Sequence, residues 1–323
     1  MGGSPSRQPR TQQMAALRRA AAAERAGPGL GYSSVQKNRL KREPRWTWLR
    51  IMLLVLGSIC GAWLFDYLYN NNDLMEVFAR QTEILDGKVV EVQCSEDYDS
   101  YQRFAGCTPV KCGRAVTDSV VNREEAEKML SIARRGLSLG GSDGGASILD
   151  LHSGALSMGK QFVNIYRYFG EKVKELFTAE DFRLYSELRW RIQQRVAETF
   201  GIDPNVLHLT KPTFFSRMNS TEAKTMHDEY WHPHIDKVTY GSFDYTSLLY
   251  LSDYKADFGG GRFVFVDEHV NSTIEPRKGR ISFFTSGSEN LHYVEKVERG
   301  TRYAITVSFT CDPAHAVDDP TLP

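Results

Sequence analysis

Residues 280–310 read RISFFTSGSENLHYVEKVERGTRYAITVSFT. Two runs in this stretch, Arg280–Thr285 and Arg302–Thr310, are rich in β-branched and aromatic residues and are predicted to be strands. In the second, Tyr303, Ile305 and Val307 alternate with Arg302, Ala304, Thr306 and Ser308, so the two sets face opposite sides of a sheet. Arg302 and Thr306 therefore share a face with only the small Ala304 between them, which leaves space for a small anion. A guanidinium presents a fork that grips a carboxylate through two parallel hydrogen bonds.

The same texture extends back to Leu207, with short runs at Pro212–Arg217, Tyr245–Leu251 and Arg262–Val266 separated by Gly, Asp, Asn and Pro. Strands at this spacing, with no helical period between them, predict an antiparallel sandwich or barrel over residues 207–312. Helices are expected upstream, in a support region spanning 116–206. One starts at Arg123, where Asn122 and Glu125 have the spacing of a capping pair and Ala126, Met129, Leu130, Ala133 and Leu137 recur at three and four. The Gly140–Gly145 stretch breaks it. Two more are expected near 160–177 and 180–200, the second between Thr178 and Gly201. The fold class is thus α+β, with N-terminal helices packed on a jelly-roll (double-stranded β-helix) core. Residues 313–323 read as a C-terminal tail.

Charge is balanced overall, with 40 basic and 40 acidic residues, and gives no support to a nucleic-acid partner. Residues 1–50 nevertheless carry eleven Lys and Arg against two Glu. Residues 1–45 have almost no large apolar side chains and are expected to be a disordered basic tail. From Ile51 to Phe65 the chain is free of charge, and with its aromatic flanks the apolar segment 46–69 reaches the ~20 residues that span a bilayer. The excess of basic residues before it predicts a cytosolic N-terminus and a single-pass type II signal-anchor, with the remainder in the lumen. Residues 70–115 read as a lumenal stalk bearing cysteines, with a strand at Lys88–Val92. Two sequons, at Asn219 and Asn271, suit that side as N-glycosylation acceptors. So do Cys94, Cys107, Cys112 and Cys311, an even set for two disulfides in any of three connectivities.

The sharpest local feature is Trp231-His232-Pro233-His234-Ile235-Asp236. In a strand, His234 and Asp236 would face one interior and supply two of the three ligands of a facial triad for non-haem Fe(II). His292, beyond the strand at Arg280–Thr285, is placed for the third. A cupin-like site using His232 and His234 would need a Glu a few residues later, and Lys237-Val238-Thr239-Tyr240 supplies none. A glycine run, Gly259–Gly261, would turn the chain or admit a close backbone.

From Leu207 to Phe309 the chain resembles the Fe(II)/2-oxoglutarate dioxygenases of the prolyl-hydroxylase type. The matching residues are His234-x-Asp236, Tyr250-Leu251, Gly259-Gly260-Gly261-Arg262-Phe263, His292 and Arg302-x-x-x-Thr306. The stretches 94–100 and 137–157 resemble a narrower subgroup. The resemblance implies that His234, Asp236 and His292 bind Fe(II). It implies that Arg302 holds the far carboxylate of 2-oxoglutarate, helped by Thr306 and the Tyr250 hydroxyl. Many collagen-type relatives use Lys where Arg302 stands, and a guanidinium serves equally. O2 would be the co-reactant, ascorbate an accessory reductant, and succinate a product. A peptidyl Pro or Lys in the endoplasmic reticulum or Golgi would be the substrate, with Trp231, Tyr240 and Phe243 near the metal either lining a peptide groove or belonging to the core. The rival reading is a catalytically silent jelly-roll binding module. Oligomeric state leaves no mark on the sequence.

Overall fold

The computed structural model describes residues 45–70, 75–100 and 102–322. The basic tail expected over 1–45 lies outside them, apart from Arg45. Helix α1 spans Arg45–Asn70, and its residues as far as Trp63 belong to the first of two units. Its segment Trp46–Phe65 has a mean hydropathy of 1.8 and none of it is buried, so it is long and apolar enough to cross a membrane.

The second unit begins with three strands: β1 (Met75–Ala79), β2 (Lys88–Val92) and β3 (Cys112–Thr117). Helix α2 (Arg123–Leu137) follows, opened by the Asn122–Glu125 pair, in which each side chain accepts from the other residue's N–H at 2.9 Å. Then come β4 (Gly141–Ser142), β5 (Ala146–Leu149), β6 (Ala155–Gly159), β7 (Gln161–Asn164) and the short helices α3 (Ile165–Tyr168) and α4 (Lys172–Leu176). Helix α5, Ala179–Phe200, is capped by Thr178 and stopped by Gly201, as its sequence predicts.

The C-terminal half contributes β8 (His208–Asn219), α6 (Asp236–Tyr240), β9 (Tyr245–Tyr250), β10 (Phe258–Gly260), β11 (Phe263–Phe265), β12 (Asn271–Ile274), β13 (Ile281–Thr285), β14 (His292–Val294) and β15 (Val297–Thr310). These strands form two sheets. The minor one runs β1-β12-β11-β14, and the major one β2-β3-β13-β9-β15-β8-β5-β6-β4, with β7 beside β6 and β10 beside β15.

The central strands β3, β13 and β9 of the major sheet are buried on both faces. Its outer face carries Ile281, Phe283, Leu249, Ile305 and Phe309 against α2 and α5. Its inner face carries Val116, Phe284, Leu248, Tyr250 and Ala304 against Phe78, Phe263, Phe265, Ile274 and Val294 of the minor sheet. The result is a jelly roll with a helical layer on one side, and the alternation predicted along 302–308 is observed.

Three expectations are corrected. The segment 70–115, expected as a stalk, is built into the fold where it is described: β1 pairs with β12 in parallel, and β2 and β3 extend the major sheet. The helix expected near 160–177 is a strand and two short helices. Asn164 starts α3 by accepting from Arg167, and Gly170, at φ 52°, separates it from α4. The tail after 312 is docked, with Val317 donating to the Leu209 carbonyl at 2.9 Å and Asp319 paired with Arg189. Of the three disulfide connectivities, the fold adopts Cys94–Cys112 and Cys107–Cys311.

Candidate active site

His234, Asp236 and His292 converge between the sheets, with one ligand atom from each lying within 4.8 Å of the others. His234 and Asp236 do not share the strand face that their spacing suggested. His234 makes an isolated antiparallel bridge to His292, with backbone bonds of 2.9 and 3.1 Å, and Asp236 is the first residue of α6. The bridge brings the two imidazoles to 4.4 Å between centroids, and the turn into α6 swings the carboxylate beneath them. Asp236 Oδ1 lies 3.6 Å from His234 Nε2 and 3.8 Å from His292 Nε2.

Hydrogen bonds fix how each group is presented. His234 Nδ1 lies 3.0 Å from the His232 carbonyl and His292 Nδ1 lies 2.8 Å from the Asn290 carbonyl. A carbonyl only accepts, so both Nδ1 atoms carry hydrogen and the two Nε2 atoms face the centre, the presentation that metal-ligating imidazoles require. Burial pushes the His292 imidazole down to about 4, with Asp236 opposing and His234 adding to the shift, so the ring is neutral near pH 7. Asp236 accepts from Thr246 Oγ at 2.6 Å through Oδ2, which leaves Oδ1 for the cluster. Phe263 stacks on the His292 ring at 5.0 Å. Asp236 and His292 are buried while the His234 side chain is 38% exposed, so the cluster opens on that side. One carboxylate and two imidazoles is a donor set suited to non-haem Fe(II).

Arg302 also lies on an inner face, on β15, and is 1% exposed. Its Nε donates to the Gly261 carbonyl at 3.0 Å and its Nη1 lies 3.7 Å from Met218 Sδ. Its Nη2 is buried with no hydrogen-bond partner among the described residues. Burial pulls the guanidinium pKa down from its ordinary value, because a charge removed from water without a counter-charge is penalised. A buried cation with an unused donor fits an anionic cosubstrate such as a carboxylate. The guanidinium sits 5.5 Å from the centroid of Tyr250, whose hydroxyl pairs with Ser282 Oγ at 2.8 Å. Thr306 is half-buried further along the same strand. The glycine run is required here. Gly261 has φ +64°, and a Cβ on it would come within 2.9 Å of Val297 and 3.3 Å of Arg302 Cδ.

His232 is not in the cluster; it turns outward onto Glu229 at 2.7 Å. Of the three aromatics near the cluster, Phe243 is core, with Tyr240 stacked on it at 4.5 Å, and Trp231 carries the Lys296 ammonium over its ring. Asn219 ends β8 and Asn271 begins β12, each half-buried with its Oδ1 accepting a backbone N–H. Thr246 and Ser282 were missed in the sequence. Their signal was a hydroxyl among apolar neighbours, as in Tyr-Thr-Ser-Leu-Leu-Tyr and Ile-Ser-Phe-Phe-Thr.

A jelly roll that gathers two imidazoles and a carboxylate, with a buried and under-bonded arginine on an inner strand, defines a non-haem iron oxygenase that takes a carboxylate cosubstrate. The profile of the 2OG-Fe(II) oxygenase superfamily matches residues 217–310. The chain belongs to that superfamily, and within it to the group of 2-oxoglutarate and iron-dependent oxygenase domain-containing protein 3. It is 64% identical to the Mus musculus member over 291 residues, 90% of this chain and 92% of that one. It is 60% identical to the Homo sapiens member over 319 residues, 96% and 100% of the two chains. A shorter likeness, 44% over 75 residues, links 22% of this chain to 10% of prolyl 3-hydroxylase 2 from Mus musculus. The protein is therefore a 2-oxoglutarate-dependent dioxygenase that uses Fe(II), 2-oxoglutarate and O2.

Proposed function

We propose that His234, Asp236 and His292 bind the Fe(II), and that Arg302, with Thr306 and Tyr250, binds the far carboxylate of 2-oxoglutarate. The substrate is a peptidyl side chain, Pro or Lys. The bound iron supplies the conversion of substrate C–H, O2 and 2-oxoglutarate to C–OH, succinate and CO2. The chain's own groups fix the geometry for it. The two Nδ1–H bonds hold the imidazoles, Thr246 holds the carboxylate, and the phenylalanines around His292 keep that side dry. The observation that carries this reading is the unpartnered, buried Nη2 of Arg302 on an inner strand of the jelly roll that also holds the ligand cluster.

A peptide substrate is supported by the likeness to prolyl 3-hydroxylase 2 and by the open side at His234, beside Trp231 and the exposed Tyr240. The apolar α1 and the basic residues before it support a type II anchor, with the oxygenase domain in the lumen of the endoplasmic reticulum or Golgi. There Asn219 and Asn271 would be glycan acceptors and ascorbate the accessory reductant. Domain limits follow the same reading: anchor 46–69, oxygenase core 207–312.

The full chain in detergent, mixed without oxygen with Fe(II) and 2-oxoglutarate, is expected to develop the weak visible band of chelated iron. The band should be lost in His234→Ala and Arg302→Ala. A folded protein that gives no band, or a band indifferent to both changes, would remove the reading.

A further inference from the structure

His292 is aimed by the Asn290 carbonyl, so its orientation depends on the turn at 286–290. That turn is held from outside. The Gly287 N–H donates to the Tyr98 hydroxyl at 2.8 Å, and that hydroxyl donates to Glu289 Oε1 at 2.9 Å. Ser288 donates to Asp97 Oδ2 through both its N–H and its hydroxyl, and the Ser95 N–H donates to Glu289 Oε2 at 3.3 Å. Approach is close enough that a Cβ on Gly287 would lie 2.3 Å from Glu289 Oε2 and 2.5 Å from Ser95 Oγ. From the other side, Asn290 Nδ2 donates to the Gly113 carbonyl at 3.2 Å and the Thr285 carbonyl at 2.9 Å.

The two stretches that hold the turn, 95–98 and 113, are each next to a cysteine of the Cys94–Cys112 disulfide. Tyr98 also reaches the second ligand-bearing segment. Its ring lies 5.7 Å from Lys237 Nζ, in the residue after Asp236, and the Lys237 N–H donates to the Ser286 carbonyl at 2.9 Å. Tyr98 is 2% exposed, and its hydroxyl both accepts and donates, which only the protonated phenol can do.

We propose that Asp97 and Tyr98 are positioning residues of the metal centre, fastened by the Cys94–Cys112 disulfide, which set His292 and the start of α6 in register for one ion. This rests on the assignment of His292 as a ligand. The segment lies nearly two hundred residues before His292, far from any motif that names the site, and acts on the ion through the turn. Loss of outer groups that orient metal-bound imidazoles typically costs about ten- to a hundredfold in metal affinity.

The test is a titration of the metal-stripped full chain, in detergent, with Co(II), which does not react with O2 under these conditions and reports its coordination by visible absorption. Tyr98→Phe removes one hydroxyl and keeps the ring. It and Asp97→Ala should each weaken Co(II) binding about tenfold, with altered band intensity. Asp97→Asn keeps an acceptor oxygen and should restore most of the affinity. The paired Cys94→Ser, Cys112→Ser variant should weaken binding as Tyr98→Phe does. Arg189→Ala, which breaks the pair to Asp319 in the C-terminal tail, is the comparison for a purely structural loss. If Tyr98→Phe and Asp97→Ala bind Co(II) as tightly as the unaltered chain while their melting temperatures fall like that of Arg189→Ala, the proposal is overturned. If His292→Ala also binds normally, or the unaltered chain does not bind, the ligand assignment falls and takes this inference with it.

Discussion

Replacing Arg302 by Leu should nearly abolish 2-oxoglutarate binding and barely change the stability of the ligand-free protein. In the structure the guanidinium is buried, bonded through Nε to Gly261, and left with an unpartnered Nη2. Removing it relieves an unneutralised buried charge, and replacement of buried ions by apolar side chains is often neutral or stabilising. It also strands the Gly261 carbonyl, at a cost of about 1–3 kcal/mol. The two effects oppose each other, so the ligand-free melting temperature should shift by only a few degrees. The cosubstrate, by contrast, loses a two-pronged, charge-assisted contact. At about 1.5–3 kcal/mol for each hydrogen bond to a charged group, the loss for two is roughly 3–6 kcal/mol. Since about 1.4 kcal/mol is tenfold, affinity should fall on the order of a hundred- to a thousandfold or more. Arg302→Lys keeps the charge but not the fork and should fall between. The assay is a 2-oxoglutarate titration followed by thermal melting with Mn(II) present, together with the KM for 2-oxoglutarate in turnover. A KM within threefold of the unaltered protein would refute the assignment. So would a collapse of ligand-free stability, which would make Arg302 a structural residue.

His234→Ala should lose Fe(II) binding and keep its fold, because the side chain is partly exposed and little packing goes with it; full turnover by this variant would reject His234 as a ligand. The Cys107–Cys311 bridge closes a loop of 204 residues, which on chain-entropy grounds is worth up to about 5 kcal/mol. The Cys107→Ser, Cys311→Ser variant should therefore unfold at markedly lower denaturant, and an unchanged midpoint would count against the pairing. His292 takes a proton near 6.5 when unfolded but only near 4 in the metal-free fold, so acid favours the unfolded chain. Its contribution is intact above pH 6.5 and falls by about 1.4 kcal/mol per pH unit below it, roughly 3 kcal/mol by pH 4. The stability difference between the metal-free protein and His292→Gln should shift by that amount over this window, and a flat difference would contradict a neutral buried ring.

What the sequence disclosed was local. The ends of α2 and α5 were legible because Asn122, Glu125, Thr178 and Gly201 act within one turn of their own positions. The faces of β15 were legible because side-chain alternation is a property of a single strand. Pairing is not local, and the readings that depended on it failed. Met75–Ala79 joins Asn271–Ile274 across nearly two hundred residues, and nothing in either five- or four-residue run names the other. Arg280 shows the same blindness for a single side chain. An arginine at a strand start reads as solvated, yet this one is fully buried. It bonds to both oxygens of Asp118 and to the carbonyls of Arg80, Glu83 and Glu275. Its burial follows from the segment before β2 wrapping over it, which only the tertiary structure supplies. His234 and Asp236 come together by a different route from the one their spacing indicated. Their spacing indicated a shared strand face, whereas a bridge to His292 and a helix start bring them together.

The superfamily match at 217–310 therefore marks where the chemistry is recognisable and not a unit that holds its own site. The minor sheet carrying His292 has strands of three to five residues, and its β1 comes from outside the matched region. Three very short strands without β1 would leave Thr273 and Ile274, both fully buried, on an open edge, where unpaired backbone groups and apolar side chains invite other chains to pair. Phe78 and Ala79 fill the core between the sheets, and Arg280 is neutralised by Asp118, all from before residue 120. The turn that aims His292 is bonded to Asp97 and Tyr98, and the end of β15 is tied to Cys107. A largely buried site of this kind needs rigid support around its ligands. Here that support comes from the segment before residue 120, which carries three of the four disulfide-bonded cysteines.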